Sequence, residues 1–336
     1  MEVYFVKPNI FHYATSELSQ DAVLCWLAAW GDPRSRERDA HLHRLGKSFL
    51  SAIFKKRGRE LPEIVQVVKS DRQHRNIDIL ITINDSIAVC IEDKVGSTEH
   101  SNQLQRYLEI LREENFSDEN VIPVYIQTGE QGSYKGVKSA GYEIMRRGEL
   151  ISLLQSYKDQ GGTNSIVQDY FDHLHEIELQ VNAFQTKPPS GWSDFAWQGF
   201  YSDIQDQLGD GEWSYVANQS GGFIGYWWSF RKSIDSEVYL QLEKDRLCFR
   251  ISVDDAPKRG HLRDKWSARI LAFAKDANLS VIRPQRLGFG QTMTVAVLDK
   301  DYRQLNSCGL LDRQETIKVL LSAAAVLDRA LSQDPA

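Results

Sequence analysis

The stretch NIDILITINDSIAVCIEDKVG, residues 76–96, decides the fold that we expect for this chain. Isoleucine recurs at alternate positions on both sides of the polar triplet 84–86, and an alternation of period two is typical of β-strands. Asparagine, aspartate and serine favour tight turns, so the stretch predicts a hairpin with strands at 76–83 and 87–95.

Strand geometry then brings charged residues together on one face of the hairpin. A three-residue loop puts Asp78 directly opposite Glu92, with Cβ atoms about 4.5 to 5.5 Å apart. Lys94 lies on the same face about 7 Å further along, whereas the Asp93 side chain points to the other face. A two-residue loop would shift the pairing by one residue. One interpretation is an ordinary ion pair of Lys94 with Glu92 or Asp78, worth about 0–1 kcal/mol if exposed. The other is that the carboxylates of Asp78 and Glu92 need a cation between them.

The two faces of the hairpin are both expected to be covered. The core face collects Ile77, Ile79, Ile81, Ile83, Ile87, Val89 and Ile91. The charged face also carries Leu80, Ala88 and Cys90, and we expect a helix at 15–30 to cover it. That helix can be capped by Thr15 or Ser16, and its predicted apolar stripe is Leu18, Ala22, Cys25 and Ala29.

The remaining pattern predicts an α/β fold, a mixed β-sheet flanked by helices, followed by a smaller α+β domain. The further expected elements are helices at 38–57, 97–115 and 165–184, strands at 63–71 and 120–129, and a short strand followed by a helix at 141–157. Two prolines and a glycine indicate a linker at 185–192 between domains at 1–184 and 193–336. Short aromatic-rich strands recur after that linker.

Composition predicts a cytoplasmic protein without a membrane span. The net charge is −6, the four cysteines lie far apart, and no apolar run or secretory signal is evident in the sequence. One segment, 31–60, is rich in basic residues: Arg34, Arg36, Arg38, Arg44, Lys47, Lys55, Lys56, Arg57 and Arg59. These residues form either a solvated helix face or a set of phosphate contacts.

The hairpin residues resemble the signature of the PD-(D/E)XK nuclease superfamily, which has an Asp on the second strand and (D/E)-x-K on the third. Asp78 and the triplet 92–94 match that pattern, with isoleucine instead of proline before the aspartate. Gln103 and Tyr107 resemble the Q-x-x-x-Y motif of RecB-like bacterial members, and their spacing places them on one helix face. Glu17 resembles the acidic residue that related members carry on the first helix, and Asp21 is the competing candidate.

The resemblance implies a restriction-endonuclease-like fold and a Mg²⁺-dependent nuclease that hydrolyses DNA, with Mn²⁺ able to substitute. The metal ligands would be Glu17, Asp78, Glu92 and the backbone carbonyl of Asp93, all hard oxygen donors. Lys94 would orient the attacking water or stabilise developing charge, and Gln103 and Tyr107 would position the substrate. The implied context is bacterial defence or DNA processing, with DNA as partner and a protein partner or self-association through the C-terminal domain. The alternatives are a non-catalytic binding module of the same fold and an RNA nuclease.

Overall fold

The computed structural model describes residues 7–96, 102–217 and 221–332. The chain divides into two compact units, Met1–Leu179 and Gln180–Ala336, which we call the first and second unit. The linker expected at 185–192 lies just after this division, and the assignment of separate domains to 1–184 and 193–336 stays a prediction.

The first unit is built on one mixed five-stranded sheet with strand order β1-β2-β3-β4-β5. The strands are β1 Val68–His74, β2 Ile77–Ile83, β3 Ile87–Lys94, β4 Val121–Gln127 and β5 Glu143–Arg146. The helices are α1 Glu17–Ala29, α2 Ala40–Lys56, α3 Gln103–Glu113, α4 Lys135–Ser139, α5 Arg147–Asp159 and α6 Ser165–Val181, which runs past the division between the units. Strand β2 runs antiparallel to its neighbours β1 and β3, and β4 and β5 continue the sheet parallel to β3. The predicted α/β fold with a mixed sheet is confirmed.

The β2–β3 hairpin has the predicted register. Ile79 is paired with Ile91 and Ile83 with Ile87 across the three-residue loop. Asn84 and Asp85 in that loop have φ of +53° and +51°, the left-handed conformation that asparagine and aspartate tolerate best after glycine. The same register brings Asp78 opposite Glu92.

Helices cover both faces of the sheet, but not in the predicted way. The isoleucine face packs against α1, α2, α5 and α6. The charged face packs against α3, whose Leu104, Tyr107 and Leu111 join Leu80 and Cys90 in a second core cluster. The prediction that the helix at 15–30 covers the charged face was therefore wrong. Ile77, at the start of β2, also belongs to the second cluster.

The predicted apolar stripe of α1 was also wrong. Leu18 is 49 % exposed, and Ala22 and Ala29 are exposed as well. The buried residues of α1 are Gln20, Asp21, Val23, Leu24, Leu27 and Ala28. The first half of α1 buries polar side chains, and its second half buries apolar ones. A search for one apolar stripe along the whole helix therefore selects the wrong face.

The strand expected at 63–71 begins only at Val68, and residues 97–101 of the helix expected at 97–115 lie outside the described residues.

The second unit contains a six-stranded antiparallel sheet with strand order β10-β11-β9-β8-β7-β6. The strands are β6 Glu212–Val216, β7 Phe223–Lys232, β8 Glu237–Glu243, β9 Arg246–Ser252, β10 Val281–Ile282 and β11 Thr292–Leu298. The helices are α7 Asp194–Leu208, α8 Arg259–Asp276 and α9 Arg313–Ser332. Several aromatic residues, among them Trp213, Tyr226 and Trp228, lie in its core. In the parts of the chain that the structure describes, every helix is too short or too polar to cross a membrane.

Candidate active site

Charged side chains from three elements meet at the end of β3 in the first unit. Glu92 and Lys94 come from β3, Asp78 comes from the start of β2, and Glu17 is the first residue of α1. Gln103, the first residue of α3, reaches the same place from the opposite side. The sequence pattern predicted all five residues as site residues, and the fold brings them together.

The ammonium nitrogen of Lys94 lies at the centre of this cluster. Its Nζ is 2.5 Å from Glu92 Oε1, 3.7 Å from Asp78 Oδ2 and 3.9 Å from Glu17 Oε2. It also donates a hydrogen bond of 3.2 Å to the backbone carbonyl of Asp93. The four groups predicted to bind a metal ion thus surround one positive charge.

Glu92 is fully buried, and α3 holds its second oxygen. Gln103 Nε2 lies 3.2 Å from Glu92 Oε2 and also donates to the Tyr107 hydroxyl. Tyr107 itself is only 1 % exposed, so it contacts the cluster through Gln103. Gln103 and Tyr107 thus lie on one helix face, with Gln103 beside the carboxylates, and their role in positioning a substrate stays a prediction.

Both oxygens of Asp78 are fixed by neighbours. Oδ2 accepts a hydrogen bond of 3.1 Å from the Asp93 backbone N–H. Oδ1 accepts one of 3.2 Å from Gln73 Nε2 in β1, and the same nitrogen lies 3.3 Å from Asp21 Oδ2. Glu17 Oε1 accepts from the backbone N–H of Val95 at 3.3 Å.

The Asp93 side chain lies on the opposite face of β3, as strand parity predicts. Its Oδ1 accepts a hydrogen bond of 2.7 Å from Gln20 Nε2 of α1. Gln20 Oε1 accepts in turn from Thr128 Oγ1 at 2.9 Å, and the Thr128 carbonyl accepts from the buried Arg147 at 2.6 Å. This chain of hydrogen bonds fixes α1, and with it Glu17, against the ends of β3 and β4.

Comparison with protein families gives a match over the part of the chain that contains this cluster. The family model of the PD-(D/E)XK nuclease superfamily matches residues 12–186, which is more than half of the chain. This chain belongs to the PD-(D/E)XK nuclease superfamily. Comparisons with the curated proteins and with the solved structures gave no significant match. The assignment to the RecB-like members of the superfamily stays a prediction.

The cluster of this PD-(D/E)XK protein has more carboxyl groups than nearby cations. Burial, together with the neighbouring Asp78 carboxylate, raises the pKa of Glu92 to about 8. Burial and the Asp78 carboxylate also raise the pKa of Asp21 to about 7. Burial and the Asp21 charge raise the pKa of Asp93 well above its usual range. The Lys94 ammonium alone does not offset these acids, so the cluster favours either bound protons or an additional cation.

The residues present suit a divalent ion by donor type. The oxygens of Glu17, Asp78, Glu92 and the Asp93 carbonyl are the hard ligands that Mg²⁺ and Mn²⁺ prefer. Across 7–96, 102–217 and 221–332, however, no three His, Cys, Asp or Glu side chains are already arranged as a metal site. The Lys94 ammonium lies among these oxygens instead.

Sequence reasoning missed three polar residues that hold this site together, namely Gln20, Gln73 and Arg147. Gln20 lies one turn after Glu17, a spacing that places both on one helix face, and that signal was available. Gln73 was detectable only from the pairing of β1 with β2, in which His74 is paired with Ile77. No sequence signal identified Arg147.

Proposed function

We propose that the first unit is a divalent-metal-dependent nuclease that hydrolyses phosphodiester bonds of DNA. The observation that carries the proposal is the shell of four oxygens around Lys94 Nζ, each within 4 Å. These oxygens come from Glu17 on α1, Asp78 on β2, and the adjacent residues Glu92 and Asp93 on β3. An arrangement that serves only stability would not need so many acids around one lysine, because buried charges are costly to desolvate.

In the proposed reaction, water adds to phosphorus while one P–O bond to the sugar breaks, which leaves a phosphomonoester and a hydroxyl. A divalent ion supplies positive charge against the phosphate and makes water a better nucleophile at neutral pH. Glu17, Asp78, Glu92 and the Asp93 carbonyl would hold it. Mg²⁺ is the proposed ion, and Mn²⁺ is proposed to substitute.

Lys94 has two roles in this proposal. Its ammonium nitrogen lies 2.5 Å from Glu92 Oε1 and 3.7 Å from Asp78 Oδ2 and holds both side chains in place. Burial opposes its charge, but Glu92, Asp78 and Glu17 raise its pKa above the ordinary lysine value, so it stays protonated at neutral pH. Once released from Glu92, the ammonium can donate hydrogen bonds to the attacking water and to the phosphoryl oxygens.

Gln103 is proposed to orient both Glu92 and the substrate backbone. Its amide already bridges Glu92 and the Tyr107 hydroxyl, so its position is set from two sides. Tyr107 then acts by holding Gln103 in place, which tunes geometry rather than supplying chemistry. The proposed cellular role, DNA processing or defence against foreign DNA in the cytoplasm, rests on the family resemblance alone. The second unit is proposed as the surface for a protein partner or for self-association.

The test compares wild type with the Lys94→Met variant, which removes the ammonium charge and keeps a side chain of similar length. Each is incubated with plasmid, linear duplex, single-stranded DNA and RNA in Mg²⁺, Mn²⁺ or EDTA. The control is Lys69→Met, which removes an exposed lysine of β1 that is paired with Asp85.

We expect DNA cleavage by wild type and by the control in Mg²⁺ and Mn²⁺, and none by Lys94→Met or in EDTA. Cleavage of RNA alone would replace DNA as the substrate. No cleavage by folded wild type would support the non-catalytic binding module, and equal cleavage by Lys94→Met would contradict the proposed site.

A further inference from the structure

Gln73 has a backbone conformation that the adjacent turn does not explain. Its φ is +58°, although it lies inside β1 and carries a side chain. The neighbours Arg75 and Asn76 also have positive φ, at +50° and +73°. Those two values belong to a two-residue type I′ turn between β1 and β2. A left-handed glutamine two residues before that turn costs free energy of order 1 kcal/mol or more, and such strained residues cluster at functional sites.

The strained backbone coincides with a contact between Gln73 and the acidic cluster. Gln73 stands across from Asp78, since the pairing of His74 with Ile77 and of Arg72 with Ile79 brackets it. Its Nε2 lies 3.2 Å from Asp78 Oδ1 and 3.3 Å from Asp21 Oδ2. An amide nitrogen carries two protons, so it can donate to both carboxylates at once.

This contact fixes the orientation of the Asp78 carboxylate. The Asp93 N–H holds Oδ2 and Gln73 holds Oδ1, so rotation about the bond to the carboxylate carbon is blocked from both ends. Asp21 is buried within α1, so its Oδ2 gives the glutamine amide a second fixed anchor. The position of Asp78 relative to Lys94 and Glu92 therefore depends on Gln73.

We propose that Gln73 is a positioning residue, outside the predicted signature, that holds Asp78 ready to bind the catalytic cation. This inference rests on the proposed function. Partners that orient a metal ligand in this way typically change metal affinity or activity by about 10–100-fold when they are removed. A purely structural glutamine would change stability instead.

Because the backbone of Gln73 is strained, substitutions can separate a positioning role of its side chain from a purely structural role. Gln73→Gly removes the amide and also relieves the positive φ, so its thermal midpoint should stay within a few degrees of wild type. Gln73→Met removes the amide and keeps the strain. The matched control is Asn76→Gly, which relieves positive φ in the same turn at an exposed residue.

The experiment measures Mn²⁺ binding by electron paramagnetic resonance of the free ion, without substrate, together with thermal unfolding. We expect Gln73→Gly and Gln73→Met to bind Mn²⁺ about 10–100-fold more weakly than wild type, while Asn76→Gly binds as wild type does. Equal binding by either Gln73 variant and wild type overturns the inference while leaving the proposed function intact. Wild type that binds no Mn²⁺ overturns the metal-dependent function, and the inference with it.

Discussion

Lys94 Nζ lies 2.5 Å from Glu92 Oε1, and the glutamate is fully buried. The lysine thus contacts the glutamate at the position where the proposed reaction needs a cation. In the proposed reaction a divalent ion would replace the ammonium as the partner of Glu92, and the released ammonium would then be available to the substrate. Metal binding and release of the lysine would be coupled through this one contact.

The first prediction is that Mn²⁺ binds more tightly as pH rises from 6 to 8. Burial raises the pKa of Glu92 to about 8, so below that pH the carboxyl carries a proton that the ion must expel. One proton released per ion gives about a tenfold gain in affinity per pH unit, and the gain should level off above pH 8. Calorimetry in buffers of different ionisation enthalpy measures the proton release directly. An affinity that does not change between pH 6 and 8 would show that Glu92 is ionised before the metal binds.

The second prediction concerns the stability of the metal-free protein. Because the pKa of Glu92 is raised in the folded state, the folded protein holds a proton that the unfolded chain loses near its ordinary value of 4.5. Stability from this group is therefore present at low pH and is lost as pH rises towards 8.

Glu92→Gln cannot titrate. We expect the difference in unfolding free energy to move in favour of the variant by about 2–3 kcal/mol between pH 6 and 9. Urea unfolding of both proteins in EDTA measures this difference at each pH. A constant difference would contradict the raised pKa.

The sequence predicted the central part of the site because strand parity is a local rule. Ile79 pairs with Ile91 as expected, and this register alone puts Asp78 and Glu92 on one face. The direction of the Asp93 side chain, away from Asp78 and Glu92 and towards α1, follows from the same rule, and Gln20 contacts it there.

The sequence could not predict which helix covers which face. α1 buries Gln20 and Asp21 beside Leu24, because its first turns contact the polar end of β3 rather than the apolar core. Hydrophobic periodicity cannot identify a face whose burial depends on hydrogen bonds to distant residues. Gln73 was missed for the same reason: its contact depends on a strand pairing and on a positive φ, and neither can be read from residue type.

The third prediction tests how the segment after α1 is held to β1. The Asp32 side chain is buried, with 6 % of the residue exposed. Its Oδ1 accepts a hydrogen bond of 2.8 Å from the Arg34 side chain, and its Oδ2 accepts one of 3.0 Å from the Val68 N–H. The Arg34 side chain is the main cause of a pKa of about 2, with the Val68 and Arg34 N–H groups contributing. A lowered pKa gives stability that is present above the ordinary value of 3.8 and is lost as pH falls through 2.

We expect Asp32→Asn to lose about 1–2 kcal/mol of unfolding free energy at pH 7 and about half as much at pH 3. The control is Asp85→Asn, which removes an exposed carboxylate paired with Lys69 and should cost less than about 1 kcal/mol. Urea unfolding at the two pH values measures both variants. A loss for Asp32→Asn that is equal at pH 7 and pH 3 would assign its effect to packing rather than charge.

The fourth prediction separates a hydroxyl that serves the site from one that serves only the core. The Tyr107 hydroxyl accepts from Gln103, the residue that contacts Glu92. The Tyr142 hydroxyl is also buried in the first unit, but it donates to the Leu104 carbonyl at 3.1 Å. Tyr107→Phe removes the hydrogen bond with Gln103, and Tyr142→Phe removes the one to Leu104 together with a contact of 3.4 Å to Cys90 Sγ. Each substitution should therefore cost about 1–2 kcal/mol of unfolding free energy.

Their effects on the reaction should differ. Without its hydroxyl partner, Gln103 can leave Glu92, so Tyr107→Phe should lower the rate of DNA cleavage about tenfold at saturating metal. Tyr142→Phe should change that rate less than about twofold, because it leaves Gln103 in place. Cleavage rates and urea unfolding curves of both variants check the prediction. Equal rates would mean that Gln103 is held by Glu92 alone, and that the tyrosine of the Q-x-x-x-Y pattern acts here only through packing beneath α3.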